Sequence, residues 1–436
     1  MKPSPATARR DTARLLARRA AVALVCAVLL PAAAMAQTPL TWQQVKVKFE
    51  AVNPTLKAAQ LNIDESRASE ITAYLRPNPD FTLTVDGFQV SPNMGVWRPF
   101  SGVLETPGVS YLHERRHKRE LRLESAKKST DIAVYTSADQ ERALVFSLRN
   151  AFVQTLQAKS VRQNAKENLD YWDKELTVNR KRYQAGDLAQ VDLDRLELQR
   201  VQFESDLEMA IVNLRTAKIQ LLTLLNDRTP LEQFDVTGPY DFVDSLMPQE
   251  EFRGIALKAR PDLKAAVESV ELAKTSYRLA VANGSTDPTF SVWYSHNPSF
   301  SNPFANQTIG GSVAIPLRIF DRNQGEKERT RIDIGRNERL REAAEAQVFS
   351  DVDSAYVTLV SALNLLRPYR DKYLKLSEDS RNRISFSYQN GGASLLDYLD
   401  AEKAYRDTRV TYLNLIGSYL TAAAQMNMAA GQEVMQ

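Results

Sequence analysis

Two carboxylates and two histidines are the residues whose type and spacing could do chemistry. Asp397 and Asp400 lie three apart in SYQNGGASLLDYLD, residues 387–400, a spacing that puts both on one face of a helix. Paired carboxylates attract cations, and they also decorate many solvated helix surfaces. His113 and His117, in HERRH, are four apart, the spacing of a helical metal pair. The only other histidine is His296 and no third ligand lies near the pair, so no metal site is assigned. No serine–histidine–acid set, glycine-rich phosphate loop or Cys/His cluster stands out. The expectation is a protein with no catalytic site and no cofactor.

The elements that position these residues begin with the N-terminus. Arg9, Arg10, Arg14, Arg18 and Arg19 precede the apolar run AAVALVCAVLLPAAA, which ends in Ala34-Met35-Ala36. This reads as an export leader over residues 1–36, with a mature chain from Gln37. Its removal takes six basic residues and one acidic one, so the formal charge falls from +3 to −2 and gives no support for nucleic-acid binding. The single cysteine, Cys26, leaves with it, and Val25 before it does not fit a lipid-anchor signal. The remainder expects no disulfide and no thiol chemistry. With 43% hydrophobic and 25% charged residues the composition is globular. No later stretch of about 18 apolar residues occurs, so membrane contact must come from strands or an amphipathic face.

Glycine and proline punctuate the rest. From Val109 to Ala185, and again from Asp187 to Thr229, neither occurs. Gly186, in RYQAGDLAQVDLD, therefore reads as a turn between two long helices. The device recurs: Tyr183, Gln184, Gly186 and Asp192 align with Tyr388, Gln389, Gly391 and Asp397. NPTLKAA from Asn53 matches RPDLKAA from Arg260, and Arg149–Val153 matches Asp353–Val357. Three markers in the same order, about 205 residues apart, indicate an internal duplication.

Each half reads alike. A helix-compatible run, Trp42 to Leu75 or Pro248 to Ala282, leads to two short alternating segments. These are 81–86 with a segment through 109–112, and 289–295 with 309–317; apolar side chains fall on one face and Thr, Ser and Asp on the other. Trp97, Phe100, Tyr111, Trp293, Tyr294 and Phe300 flank them. A long amphipathic helix follows, carrying Leu148, Phe152, Leu156, Val161, Ala165, Leu169, Trp172 and Leu176 as a coiled-coil-like stripe. In the second half Gly335 and Pro368 predict a kink or a joined pair of helices. The divisions are residues 37–230 (hairpin 80–113, tip near 186), a linker 231–247, and residues 248–436 (hairpin 287–317, tip near 391). The basic runs HERRHKR and RIFDRNQGEKER fall where strand passes into helix and read as a belt facing phospholipid head groups. The strands by themselves fit an ordinary soluble sheet with core aromatics equally well; as a membrane wall, four cannot close a barrel, which needs about eight, so several copies must pool theirs.

The duplicated RYQAG…VD and SYQNG…LLDYLD turns and the segment GSVAIPLRIFDRNQG, residues 311–325, resemble the TolC-like outer-membrane efflux channels over the whole mature chain. The FDRNQG stretch looks like the heavy-metal branch. The resemblance implies a mainly α fold with a small β part: a homotrimer with a twelve-stranded outer-membrane barrel, four strands per chain, and a helical tunnel across the periplasm. It further implies a passive duct, a periplasmic adaptor protein, and an inner-membrane pump of the proton-driven type. Gly186, Gly391 and Tyr183 would form adaptor-docking tips. Asp397, Asp400, Asp192 and Tyr388 would line the entrance, with six carboxylates in the trimer from the first two. An arginine of some members falls at Ala393 here, so part of their closing network is absent. The alternative reading is a periplasmic coiled-coil adaptor or structural protein, which explains the helices but not two amphipathic hairpins. A secreted metalloenzyme using His113 and His117 ranks third.

Overall fold

The computed structural model describes residues 39–296 and 306–435. The leader with Cys26, and the part of the second hairpin loop that includes Phe300, lie outside the described residues. The first repeat runs α1 (Trp42–Val52), α2 (Pro54–Tyr74), β1 (Asp80–Asp86), β2 (Leu104–Leu112), α3 (Lys118–Gln184) and α4 (Gln190–Leu224). The second runs α5 (Gln249–Ala259), α6 (Pro261–Asn283), β3 (Thr289–His296), β4 (Gln307–Ala314), α7 (Gln324–Pro368), a π turn (Tyr369–Tyr373), α8 (Leu374–Gln389) and α9 (Leu395–Ala430).

The run from Trp42 to Leu75 is two helices rather than one. Asn53 is extended, at φ −63° and ψ 121°, and its side chain accepts from the Thr55 and Leu56 N–H groups at 2.9 and 3.1 Å. The residue before a proline avoids helical backbone, and proline suits the first helical position, so Asn53-Pro54 ends one helix and starts the next. Arg260-Pro261 breaks the second repeat at the same place, at φ −61° and ψ 123°. Arg260 also replaces the asparagine's local bond with a longer reach. Its guanidinium, 2% exposed, pairs with Asp262 at 2.6 Å and Asp351 at 2.7 Å.

Helix α3 has 67 residues, about 100 Å of continuous helix. Such a length is stable only with partners along its sides, and α2, α4, α6 and α9 supply them. Helix α4 packs on α3 and α8 on α9, so the four tip-bearing helices lie in the order α4–α3–α9–α8. In α7 the expected break at Gly335 does not occur: a side chain there would meet nothing, and the 45-residue helix runs through it. One glycine costs about 1 kcal/mol against alanine, too little to stop so long a helix. The break falls at Pro368 alone, where the missing N–H shifts the ladder into the π turn. Arg367 and Arg370, on either side of Pro368, both hold Asp244 of the linker, at 2.6 and 2.9 Å.

The strands form one antiparallel sheet in the order β1-β2-β3-β4, so β2 and β3 join the two repeats and β1 and β4 are open edges. Register fixes two faces. One carries Phe81, Val109 and Val292 in a row, then Tyr111, Phe290 and Val313, then Tyr294 and Ile309. The other carries Thr82, Gly108, Trp293 and Gly310, then Thr84 with Thr106, and Ser295 with Thr308. Thr106 and Ser295 share a hydrogen bond at 3.2 Å across that second face. The apolar face is the more exposed: Phe81, Val109, Phe290, Val292, Ile309 and Val313 are open in the single chain. Strand β4 ends at Ala314, three residues short of Leu317.

At the first strand-to-helix junction some of the basic side chains are held within the chain. Lys118 is buried and pairs with Asp287 at 2.5 Å. Arg122 pairs with Glu114, and Arg119 lies 4.3 Å over the Tyr74 ring. Arg115 and Arg116 stay exposed. Both junctions turn through left-handed residues, His117 at φ 55° and Asn323 at φ 60°.

Candidate functional site

The two helical tips are built by the same turn. Helix α3 stops when Gly186 takes φ 84°. Its N–H donates to Tyr183 O at 3.0 Å, and the Asp187 N–H to Arg182 O at 2.8 Å. Helix α8 stops when Gly391 takes φ 78°, with the Gly392 N–H donating to Ser387 O at 2.8 Å. These wrapped ends satisfy the last carbonyls of each helix. A Cβ at either glycine would meet no atom within 4 Å, so the backbone conformation, not crowding, selects glycine. Tyr183, Val191, Phe386 and Leu396 are exposed apolar residues beside the turns.

The restart of α9 settles what Asp397 does within the chain. Its carboxylate accepts from the Ser394 N–H at 3.1 Å and from the Ser394 hydroxyl at 2.6 Å, while the Asp397 N–H donates to that hydroxyl at 3.1 Å. This reciprocal capping box starts the helix. The Ser394 hydroxyl, then the backbone N–H, hold the carboxyl below its ordinary range, so it stays charged. Asp400, one turn on, is exposed, and no hydrogen bond or ion pair to it occurs among the described residues. Asp192 is half-buried in the first turn of α4.

Tyr388 is buried, and its hydroxyl donates to Asn179 Oδ1 at 3.3 Å rather than to Asp192. Its ring stacks on Tyr398 at 4.9 Å, and Tyr398 stacks on Trp172 at 6.0 Å. Trp172 packs on Phe203 at 5.1 Å and donates to Leu196 O at 3.0 Å. This aromatic column, with Leu176, Leu193 and Leu395, joins the two hairpins near their tips. Ala393 packs partly buried against it. A cation still faces Tyr388: the Arg182 guanidinium lies 5.3 Å from its ring, supplied by the first hairpin. Trp172 and Leu176 belong to the apolar stripe visible in the sequence, whereas Tyr398, Phe203 and Arg182 do not stand out there. Their spacing carries no signal, because they meet only across helices.

His113 and His117 do not form a metal pair. The segment between β2 and α3 is not helical: Arg116 and His117 are left-handed, at φ 60° and 55°. His113 packs edge-on to Phe290 at 6.5 Å, whereas His117 points to Glu120 at 3.9 Å. No cluster of three or more His, Cys, Asp or Glu suited to a metal occurs among the described residues. A cavity of about 890 Å³ opens at the other end of the hairpins, between α1, α3 and the end of α9. It is lined by Trp42, with Arg149 stacked on it at 4.5 Å, and holds no nucleophile–base pair. No helix among the described residues is long and apolar enough to cross a membrane.

Comparison with known proteins matches this architecture. The family model described as outer membrane efflux protein covers residues 47–227 and 253–432. The cobalt-zinc-cadmium resistance protein CzcC of Cupriavidus metallidurans is 24% identical over 410 residues, 90% of each chain. Among solved structures, the outer membrane protein VceC of Vibrio cholerae aligns with a TM-score of 0.72 at 16% identity, over 90% of this chain and 96% of that one. The open state of the MtrE outer membrane channel of Neisseria gonorrhoeae gives 0.71 at 18% identity, over 90% and 89%. A match that spans both repeats, on a fold these channels share, decides the matter: the chain belongs to the outer membrane efflux protein family.

Proposed function

We propose that three copies of this chain form a passive export duct, closing a twelve-stranded barrel in the outer membrane above a helical tunnel. The observation that carries this is the sheet. One face carries Thr, Ser and Gly around Trp293, the opposite face is a continuous apolar surface that nothing among the described residues covers, and among those residues both edges are unpaired. Lipid satisfies the apolar face, a wet lumen the polar one, and neighbouring copies the edges. The helices support the same closure. On the flank of α4, Val191, Leu198, Val201, Val212 and Ile219 are exposed at mainly heptad spacing, and α8 offers Leu376 and Phe386 on the other flank.

In this reading residues 37–230 and 248–436 are two structural repeats joined by the linker 231–247. Asp397, Asp400, Asp192 and Tyr388 lie at the periplasmic entrance. Gly186, Gly391 and Tyr183 form the surface on which a periplasmic adaptor docks, coupling the duct to a proton-driven inner-membrane pump. The likeness to a cobalt-zinc-cadmium resistance protein favours heavy-metal cations as cargo. A deletion strain more sensitive to those metals than to drugs or solvents supports that choice; the reverse order removes it. For the duct itself, detergent-purified protein is expected to give ion-conducting steps in a planar bilayer. A correctly folded protein that conducts nothing refutes it.

A further inference from the structure

We propose that Glu402 is a proton-binding site joining the two helical hairpins: with its carboxyl neutral they stay packed near the tips, and loss of the proton loosens them. Because α4 packs on α3 and α8 on α9, whatever holds α3 to α9 holds the hairpins together there. Glu402 of α9 lies in this joint, 6% exposed. Tyr171 of α3 donates its hydroxyl to Glu402 Oε1 at 3.1 Å. No ion pair to Glu402 occurs among the described residues.

The neighbouring groups on each element explain why. From α3, Glu175 adds a second acid one turn beyond Tyr171, and burial pushes its carboxyl up as well. From α8, the Arg381 guanidinium lies over the Tyr405 ring at 4.0 Å and near the Tyr171 ring at 5.3 Å. On α9 itself, Arg406 turns over Phe203 at 5.2 Å, toward Asp206 of α4 at 3.7 Å and Asp407 at 3.6 Å. Tyr398, one turn before Glu402, is fully buried beside Tyr171 and Glu175. An ionised carboxylate with one neutral donor leaves most of its lone pairs unsatisfied in a buried site. The protonated acid needs less.

Burial pushes the Glu402 carboxyl up to about 7; Arg381 and the Tyr171 hydrogen bond pull it down, and Glu175 adds to the rise. When the hairpins part, Glu402 meets water and returns toward its ordinary value of 4.5. The closed joint therefore binds the extra proton between these values. Its stability is full below about 4.5, falls as pH rises toward about 7, and is level above. An effect on conduction rests on the tips being the entrance; the proton linkage does not.

Hydrogen exchange of full-length protein in detergent reads the linkage directly. After correction for intrinsic rates, opening of amides in 395–405 is expected to rise by up to about tenfold per pH unit across that window. Glu402→Gln is expected to keep the low-pH protection at every pH. A flat wild type, or an unchanged pH response in Glu402→Gln, overturns the proposal. Infrared spectroscopy of the wild type needs no variant. The carbonyl stretch of a protonated carboxyl is expected near pH 6 and gone near pH 8.5; its absence near pH 6 overturns the proposal. Tyr171→Phe removes a donor to the carboxylate and is expected to move the midpoint upward, and an unmoved midpoint counts against the site. Conduction in a bilayer with no such pH response overturns any role of this joint at the entrance and leaves the duct standing.

Discussion

Asp397 and Asp400 look equivalent in the sequence and are not. The first holds a capping box with Ser394, whereas the second is exposed without a partner among the described residues. Replacing Asp397 with alanine would therefore mix a charge effect with a frayed helix start. Gln at that position can keep the reciprocal bond without the charge. Asp397→Gln with Asp400→Asn is expected to lower cation preference and divalent block with unfolding unchanged, measured by reversal potential and thermal denaturation. Unaltered selectivity would remove both residues from the entrance. Ser394→Ala is expected to cost about 1 kcal/mol of stability by loss of the cap while selectivity stays as it was. The acid pair was legible as a motif; its division into a cap and a free charge was not, because hydrogen bonding depends on the turn that precedes the helix.

Gly186 and Gly391 bend helices whose lengths were readable from the absence of glycine and proline. Both adopt a left-handed backbone with open space around them. Asparagine tolerates that backbone, while a bulky residue strains it and fills the surface beside it. Gly391→Asn is thus expected to leave assembly and adaptor cross-linking nearly intact. Gly391→Trp is expected to abolish cross-linking while the oligomer persists on native gels. Retained cross-linking in the tryptophan variant would make the glycine only a turn former. The other helix breaks show how local and tertiary effects divide. Asn53-Pro54 and Arg260-Pro261 were visible as repeat markers, yet they also end helices through the backbone limit before proline. Gly335 was expected to interrupt α7, but packing along 45 residues outweighs one glycine. Pro368 cannot be absorbed in that way, since it removes a donor and clashes with the preceding turn.

At the scale of the whole molecule, the sheet joins the repeats and sets what the outside must be. Trp293 lies across from Gly108 and Gly310, and a Cβ at Gly310 would come within 2.5 Å of its ring. Gly310→Val is expected to displace Trp293 and reduce the yield of heat-resistant oligomer in the outer membrane, read by unheated electrophoresis. A normal yield would show that the tryptophan has room to move. The sequence by itself determined the recurrence of motifs about 205 residues apart, the long helices, the two tip turns and the alternating strands. Those depend on composition, periodicity and the backbone limits of glycine and proline, all of which act within a few residues. Tertiary structure decided the pairing of β2 with β3, the order α4–α3–α9–α8, the aromatic column from Tyr388 to Phe203, and the burial of Glu402 under Tyr171. Each of these joins residues far apart in the chain, so its energy depends on which surfaces exclude water together, and no local pattern records that.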